Sequence, residues 1–528
     1  MIAQQAAQRR QKQAEDLVNF MLGDLSVKLR QVDRLDILST VDDKAMAYFK
    51  SLPATDVNAT ELAQRAKALQ RIGEVRMDRS KLSDAMAAFQ QALRLNKQLV
   101  DAAPNDAMRQ NAYAENLLWV GFADWKEGKL DFAEGAFTQS AAALERAVAL
   151  APSDNDVAQN LDAVYADLGH VAQARGELDI AEREFTKDQA LCQRMATSHS
   201  GDVDWDDALG HADDNLATVA LMRGHLDSAI QGYLVEHGEL AAAVTHHPQD
   251  VQIQDDLIRS DAILGRTLAL AGQTPKGTAY VESALKLGEQ RLKFDPSHDG
   301  WRAHYSYYSA LLGTLRMEQG DMRAAGAPIA DSIATLQALV TKDHGNDEWM
   351  EDLVDAQLAG ARFALALRQD TKAEQLAEVA LKSLRKPLAD NPSSTHSLRD
   401  EATAQLILGQ LGNSEAAAKH DQDALALMRR ISTHSSDPRT LAVLTEALLV
   451  SGNGSDANSY ILELQKMGYR PIGFVALLQQ HGIHYPENTQ FNARVAKILR
   501  SNAVDPSTAR PGMTVVEKSV SSHRGRKP

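Results

Sequence analysis

The sequence predicts an all-α protein, a right-handed superhelical solenoid of antiparallel helix hairpins, and three observations carry that prediction. Gly128, Gly176, Gly224, Gly272 and Gly320 recur every 48 residues. Seven residues before each stands a small residue, Gly121, Gly169, Ala217, Gly265 or Gly313, with Gly73 and Ala361 extending the row at both ends. Pro104, Pro152, Pro248, Pro296 and Pro392 punctuate a second junction on the same beat. A fixed period of this size marks stacked units, each covering the apolar face of its neighbour.

Residues 1–57 precede the beat and read as an N-terminal helical region. Within them, "QQAAQRRQKQAEDLVNFMLGDLSVKL" has no proline, few glycines and apolar side chains at Leu17, Phe20, Met21, Leu25 and Val27. That pattern predicts a long helix with one amphipathic half. The cluster Arg9, Arg10 and Lys12 suits a solvated helix face or contact with an anionic membrane, and Glu15 and Asp24 favour the former.

Residues 58–467 form the repeat array. Twelve residues after the first small residue comes a second, Ala85, Ala133, Ala181, Ala229, Gly277, Ala325 or Ala373. Four further on, the first four units place Phe89, Phe137, Phe185 and Tyr233. Antiparallel helices need small side chains where their axes come closest, and a ring one turn away fills the widening gap. The turn glycines suit the left-handed position after a helix, where a Cβ is penalised. Three residues later Ser83, Asp131, Asp179, Asp227 and Pro275 are expected to start the second helix. Beyond the other junction, Asp106, Asp154, Asp202, Asp250, Asn346 and Ser394 are expected to cap the next first helix.

Segments such as "GFADWKEGKLDFAEGAFTQSA" (Gly121 to Ala141) and "GHVAQARGELDIAEREFTKDQ" (Gly169 to Gln189) resemble the tetratricopeptide repeat (TPR) in the offsets of small residue, turn glycine, alanine and aromatic. The usual period is about 34 residues, shorter than the spacing here. Because the matched offsets are normal, the extra residues must lengthen the first helix backwards and the second forwards, by about two turns each. Helices of about 20 residues are roughly 30 Å long. A HEAT-type reading fits a period of about 40 to 47 but explains the offsets less well.

"TEALLVSGNGSDANSYILELQKMG" (Thr445 to Gly468) reads as a shortened last unit, giving eight or nine hairpins in all. Residues 468–503 follow as capping helices, from "PIGFVALLQQHGI" and "FNARVAKILRS". Residues 504–528, rich in Pro, Ser and Gly, read as a disordered tail. At the other end, Ala14 to Phe49 is similar to the juncture that joins an effector or membrane anchor to the repeat arm of bacterial multidomain signalling proteins. That resemblance implies a stand-alone sensor arm, or a start further upstream.

Composition narrows the function classes. A formal charge of −15 over 528 residues argues against a nucleic-acid binder. No apolar run reaches the 18 or so residues of a membrane span, and the N-terminus lacks a secretory apolar core, so a cytoplasmic location without stable membrane insertion is expected. Cys192 is alone and excludes an intrachain disulfide. There is no phosphate-binding glycine loop, nucleophile elbow or paired CxxC motif, so a non-catalytic protein with no cofactor and no metal is expected. His481 and His484 read as surface residues of a turn, and His246 and His247 as polar residues at a helix end. Trp205, Trp301 and Trp349 share one repeat position, which favours packing against the preceding unit over stacking on a ligand.

What remains is binding. The TPR resemblance implies that first helices line a concave groove, with contact positions six and three residues before, and one and four after, the small residue. Carried onto this chain, these positions give Phe122, Trp125, His170, His211, Arg259, Arg266, Tyr307 and Arg362 as a peptide- or protein-binding groove. Arg259, Arg266 and Arg362 gathered around Tyr307 suit a carboxylate or an acidic peptide. The alternative is that these arginines pair with neighbouring acids and only solubilise the array. The expectation is therefore a protein-interaction scaffold in bacterial signalling, or a sensor arm that takes a small ligand or peptide and relays a change of shape to an effector.

Overall fold

The computed structural model describes residues 58–78, 81–199, 202–412, 415–432 and 435–502. The expectations for residues 1–57 and for the tail lie outside the described residues. Every element among the described residues is a helix. In order they are α1 (Ala59–Asp78), α2 (Leu82–Ala102), α3 (Ala107–Lys126), α4 (Leu130–Leu150), α5 (Asn155–Ala174), α6 (Leu178–Ser198) and α7 (Val203–Met222). Then come α8 (Leu226–His246), α9 (Val251–Leu270), α10 (Thr274–Phe294), α11 (Asp299–Glu318), α12 (Met322–Lys342), α13 (Asp347–Ala366), α14 (Asp370–Ser383) and α15 (Arg385–Asp390). The series ends with α16 (Thr395–Gly409), α17 (Glu415–Ser432), α18 (Pro438–Val450), α19 (Gly454–Met467), α20 (Ile472–Gln480) and α21 (Thr489–Ser501). The chain divides into two compact units at Val171 and Ala172.

Helices of 20 and 21 residues alternate from α1 to α13, as the lengthened repeat requires. The hairpins close where the small residues sit. A Cβ on Gly121 would meet the Phe137 ring at 2.6 Å, and one on Gly265 would meet the Gly277 carbonyl oxygen at 2.6 Å. Phe89, Phe137 and Phe185 are fully buried beside these contacts, each contributing about 2–3 kcal/mol by burial. The turn glycines 128, 176, 224, 272 and 320 all have φ between 73° and 84°. One beat later Arg368 holds the same left-handed conformation at φ 58°, without the freedom of glycine.

The first-helix caps are as expected. Asp106, Asp202, Asp250, Asn346 and Ser394 each accept a backbone N–H of the first turn, and Asp154 accepts from Val157 N. His298 does so in the sixth unit, through Nδ1. The second helices differ from expectation. Asp131, Asp179 and Asp227 are not N-caps; that place falls to Lys129, Glu177 and His225, none of which makes a side-chain cap bond. A single residue separates the turn glycine from the helix, so the acid lands inside the first turn, where it meets the positive end of the helix dipole.

In the unit that begins at Ala172, the C-terminal helices do more than cap. Arg470 N–H donates to Leu270 O at the end of α9 (2.7 Å), and Ser436 Oγ donates to Met222 O at the end of α7 (3.4 Å). The Met467 side chain lies where a Cβ on Gly224 would be, 2.5 Å from Cε. Arg494 pairs with Asp227, and α21 packs on α8. One apolar core runs from Leu221, Leu226 and Ile230 to Leu464, Phe491 and Val495. The end of the array is thus seated on the turns of its own middle.

Candidate binding face

The repeat register brings side chains from successive first helices into contact, since positions 45 or 48 apart become neighbours. Thus Arg259 on α9 donates to Asp214 Oδ2 (2.8 Å) and to His211 Nδ1 (3.1 Å), both on α7. Its further partners are Glu236 Oε1 (3.4 Å) from α8 and Asp256 Oδ1 (3.9 Å) on its own helix. Burial, with Asp214 beside it, pushes Glu236 well above the ordinary carboxylate range despite the facing Arg259. Burial likewise lifts Asp256 to about 6. Along the same face Arg266 donates to Tyr307 Oη (3.1 Å) and pairs with no carboxylate among the described residues. Tyr307 is pushed upward by burial, against the pull of Arg266 and with Asp355 and Asp352 adding to the shift.

Further along lie α13, α16 and α18. Asp437 caps α18 and holds Arg439 through both oxygens (3.0 and 2.7 Å). Burial opposes ionisation of Asp437, but Arg439 and then Arg399 hold it below the usual range. Asp400, buried and near Asp355, rises to about 8. Arg362 is exposed, with no hydrogen bond or ion pair among the described residues, and feels Glu318 and Asp400 at longer range. Glu236, Asp256, Asp400 and Asp437 are buried, yet the Arg259 and Arg439 side chains remain 30% and 24% exposed. Solvent therefore reaches into this face.

The unit that ends at Val171 is lined differently. Phe89 stacks on Trp119 (centroids 5.8 Å), and Trp119, Phe122 and Trp125 continue edge to face at 6.1 and 6.5 Å. Trp125 also meets Phe137 (6.3 Å) and His170 (6.1 Å). The eight expected groove residues thus separate into an aromatic set, Phe122, Trp125 and His170, and an ionic set, His211, Arg259, Arg266, Tyr307 and Arg362. For Arg259 the expected alternative holds, since neighbouring acids pair it. It does not hold for Arg266 or Arg362.

Sequence reasoning missed Asp256, Asp352, Arg399, Asp400 and Arg439 as members of this face, whereas Asp355 falls on an expected contact position, six residues before Ala361. Asp256, Asp352 and Asp400 lie nine residues before the small residues Gly265, Ala361 and Gly409. That is one turn beyond the family's contact positions, on the extra length of the first helix. The register that lengthened the helix therefore carried the signal. Arg439 had no such marker, because it reaches the face from the folded-back end.

Within residues 172–502, two clusters have the composition of cation sites, Asp207 with His211 and Asp256, and Asp355 with His396 and Asp400. In each, an arginine approaches the histidine Nδ1, Arg259 at 3.1 Å and Arg399 at 2.8 Å. Guanidinium only donates, so Nδ1 accepts and Nε2 carries the proton of the neutral ring. Nε2 faces Asp207 (3.5 Å) or Asp400 (3.4 Å), which leaves no nitrogen lone pair for a metal in this arrangement. Trp301 is packed, as expected: Arg291 covers its ring at 4.0 Å, and Nε1 donates to Asp255 Oδ2 (3.1 Å). No helix among the described residues is long and apolar enough to cross a membrane.

No family model matches the sequence, and no curated protein matches it. Among solved structures, the apo form of RapI is 12% identical, with 79% of this chain and 98% of that chain covered and a TM-score of 0.49. The apo form of the quorum sensor NprR from B. thuringiensis is 12% identical over 74% and 99%, with a TM-score of 0.40. Yeast Tom70 is 13% identical over 84% and 98%, with a TM-score of 0.34.

Proposed function

We propose that this protein, a TPR-type helical repeat array, is a non-catalytic interaction module whose first-helix face in residues 172–502 grips an extended peptide segment. One observation carries the reading: charged groups from α7, α9, α13, α16 and α18 line one solvent-reached face, and Arg266 and Arg362 on it lack carboxylate partners among the described residues. Desolvating ionic groups inside a fold is costly, and a ligand that completes their pairing offsets that cost. Carboxylates accompany the arginines throughout, so this face does not single out an acidic partner. The setting we read is bacterial, cytoplasmic regulation, on the resemblance of Ala14 to Phe49 to signalling junctures.

The test is selection of peptides from a random display library by the full chain, followed by hydrogen exchange with and without the best binder. Protection concentrated in α9, α11, α13 and α16 is expected. Failure to enrich any peptide, or protection confined to the second helices, overturns the reading.

A further inference from the structure

Resting on that reading, we infer that the ligand is a dipolar peptide, with a cationic group held beside Glu351, Asp352 and Asp355 and a carboxylate held by Arg362, the two about three residues apart. The inference begins with helix α13, which presents charges of both signs on one face. Asp355 and Arg362 are seven residues apart, two turns, so they share a face and lie about 10 Å from each other along the axis. Neither makes a hydrogen bond or ion pair among the described residues, and the same holds for Glu351 and Asp352. The negative end is costly as it stands. Burial, compounded by Glu348, Asp355 and Glu351, holds Asp352 well above the ordinary carboxylate range. A cation placed there relieves that repulsion.

A second helix adds a cation to this face, beside Tyr307. Arg266 is bound only to the Tyr307 hydroxyl, and Tyr307 stands within electrostatic reach of both Arg266 and Asp355. It is thus coupled electrostatically to a cation on α9 and to the acids on α13. The other local cations, Arg399 and Arg439, are already engaged by His396 and Asp437. Extended peptide in the polyproline conformation rises about 3.1 Å per residue and returns to the same side every three residues. Side chains at i and i+3 then match the separation of Asp355 and Arg362.

The probe is a library of N-acetylated, C-amidated hexapeptides, selected on the full chain and read by mass spectrometry. Enriched peptides are expected to carry Lys or Arg three residues from Asp or Glu. Against Asp355→Asn the basic preference should fall at least tenfold while the acidic one persists, and against Arg362→Gln the reverse. Both positions are solvent-reached, and circular dichroism checks that each variant folds. Enrichment of peptides without this charge spacing, or equal loss of both preferences in both variants, overturns the dipolar ligand and leaves the peptide-binding reading standing. Enrichment of nothing removes both.

Discussion

One inter-repeat contact occurs in both halves of the chain with different chemistry. Three residues before the small residue of one unit, and six before that of the next, Gln70 donates to Glu115 at 2.8 Å in the first half. In the second half the same register joins Arg259 to Asp214, also at 2.8 Å. The neighbouring position repeats the contrast: Asn116 bonds the amides of Gln70 and Asn96, whereas Ser260 donates to the buried carboxylate of Glu236. Thus one backbone register serves a ladder built on amide donors under an aromatic face, and an ionic ladder under a charged one. The repeat fixes where side chains meet. Their identity decides whether the meeting is built on amides or on charges.

The largest effect should come from the apolar side of this contrast. Phe137→Ala removes a fully buried ring that fills the space over Gly121, and is expected to cost about 4 kcal/mol. Urea denaturation measures the loss, and hydrogen exchange should place it in α3 and α4. On the ionic side, Arg259→Met leaves Asp214, Glu236 and Asp256 without their shared cation, at an expected cost of about 3 kcal/mol. Adding Glu236→Gln should return part of it. The register-equivalent change Glu115→Gln, which keeps an acceptor for Gln70, should cost under about 1 kcal/mol. Equal losses at Arg259 and Glu115 would mean that the two ladders are energetically alike and the comparison is empty.

Helix pairing, turn glycines and first-helix caps were legible in the sequence because each depends on a local rule repeated many times. A residue such as Gly128 needs only its own φ, and Asp250 only the two N–H groups it caps. The first-helix positions that meet between units, such as Asp214 and Arg259, were legible as well, since a lengthened helix preserves the register of its original part. Two things were not. Whether an arginine is already paired depends on acids brought from other helices, as Glu236 on α8 is brought to Arg259. And the return of α18 to α21 onto the turns at Gly224 and Gly272 is a contact across about 200 residues or more, which no local pattern encodes.

A pH series sharpens the contrast further. In the second half Asp400 is lifted to about 8, Glu239 to about 7, and Asp256 and Glu318 to about 6, burial being the main cause in each case. Each is raised above its unfolded value near 4, so the native state binds more protons and stability falls as pH rises through the folded values. His396, lowered by burial and Arg399, and Asp437 act in the opposite sense. The larger group should prevail, making residues 172–502 more stable at pH 5.5 than at pH 8.5, by about 2 kcal/mol. Hydrogen exchange at the two pH values should show this in α9 and α16, with α1 to α4 changing less. Asp400→Asn should flatten the profile above pH 7; an unchanged profile would show that Asp400 ionises normally.

The smallest effect tests the turn itself rather than the face. Five successive units make their turn with glycine at φ 73° to 84°, but the seventh uses Arg368 at φ 58°. A side chain in the left-handed region costs about 1 kcal/mol that glycine does not. Against this, glycine loses more freedom on folding, so Arg368→Gly should stabilise by about 0.5 kcal/mol, read as a small rise in the urea midpoint with an unchanged slope. Gly320→Arg, at the equivalent turn one unit earlier, should destabilise by a comparable or larger amount, since no atom lies within 4 Å of an added Cβ and only the backbone opposes it. If both changes destabilise, Arg368 makes a contribution that the turn conformation alone does not explain, and the seventh unit differs from its neighbours in more than its face.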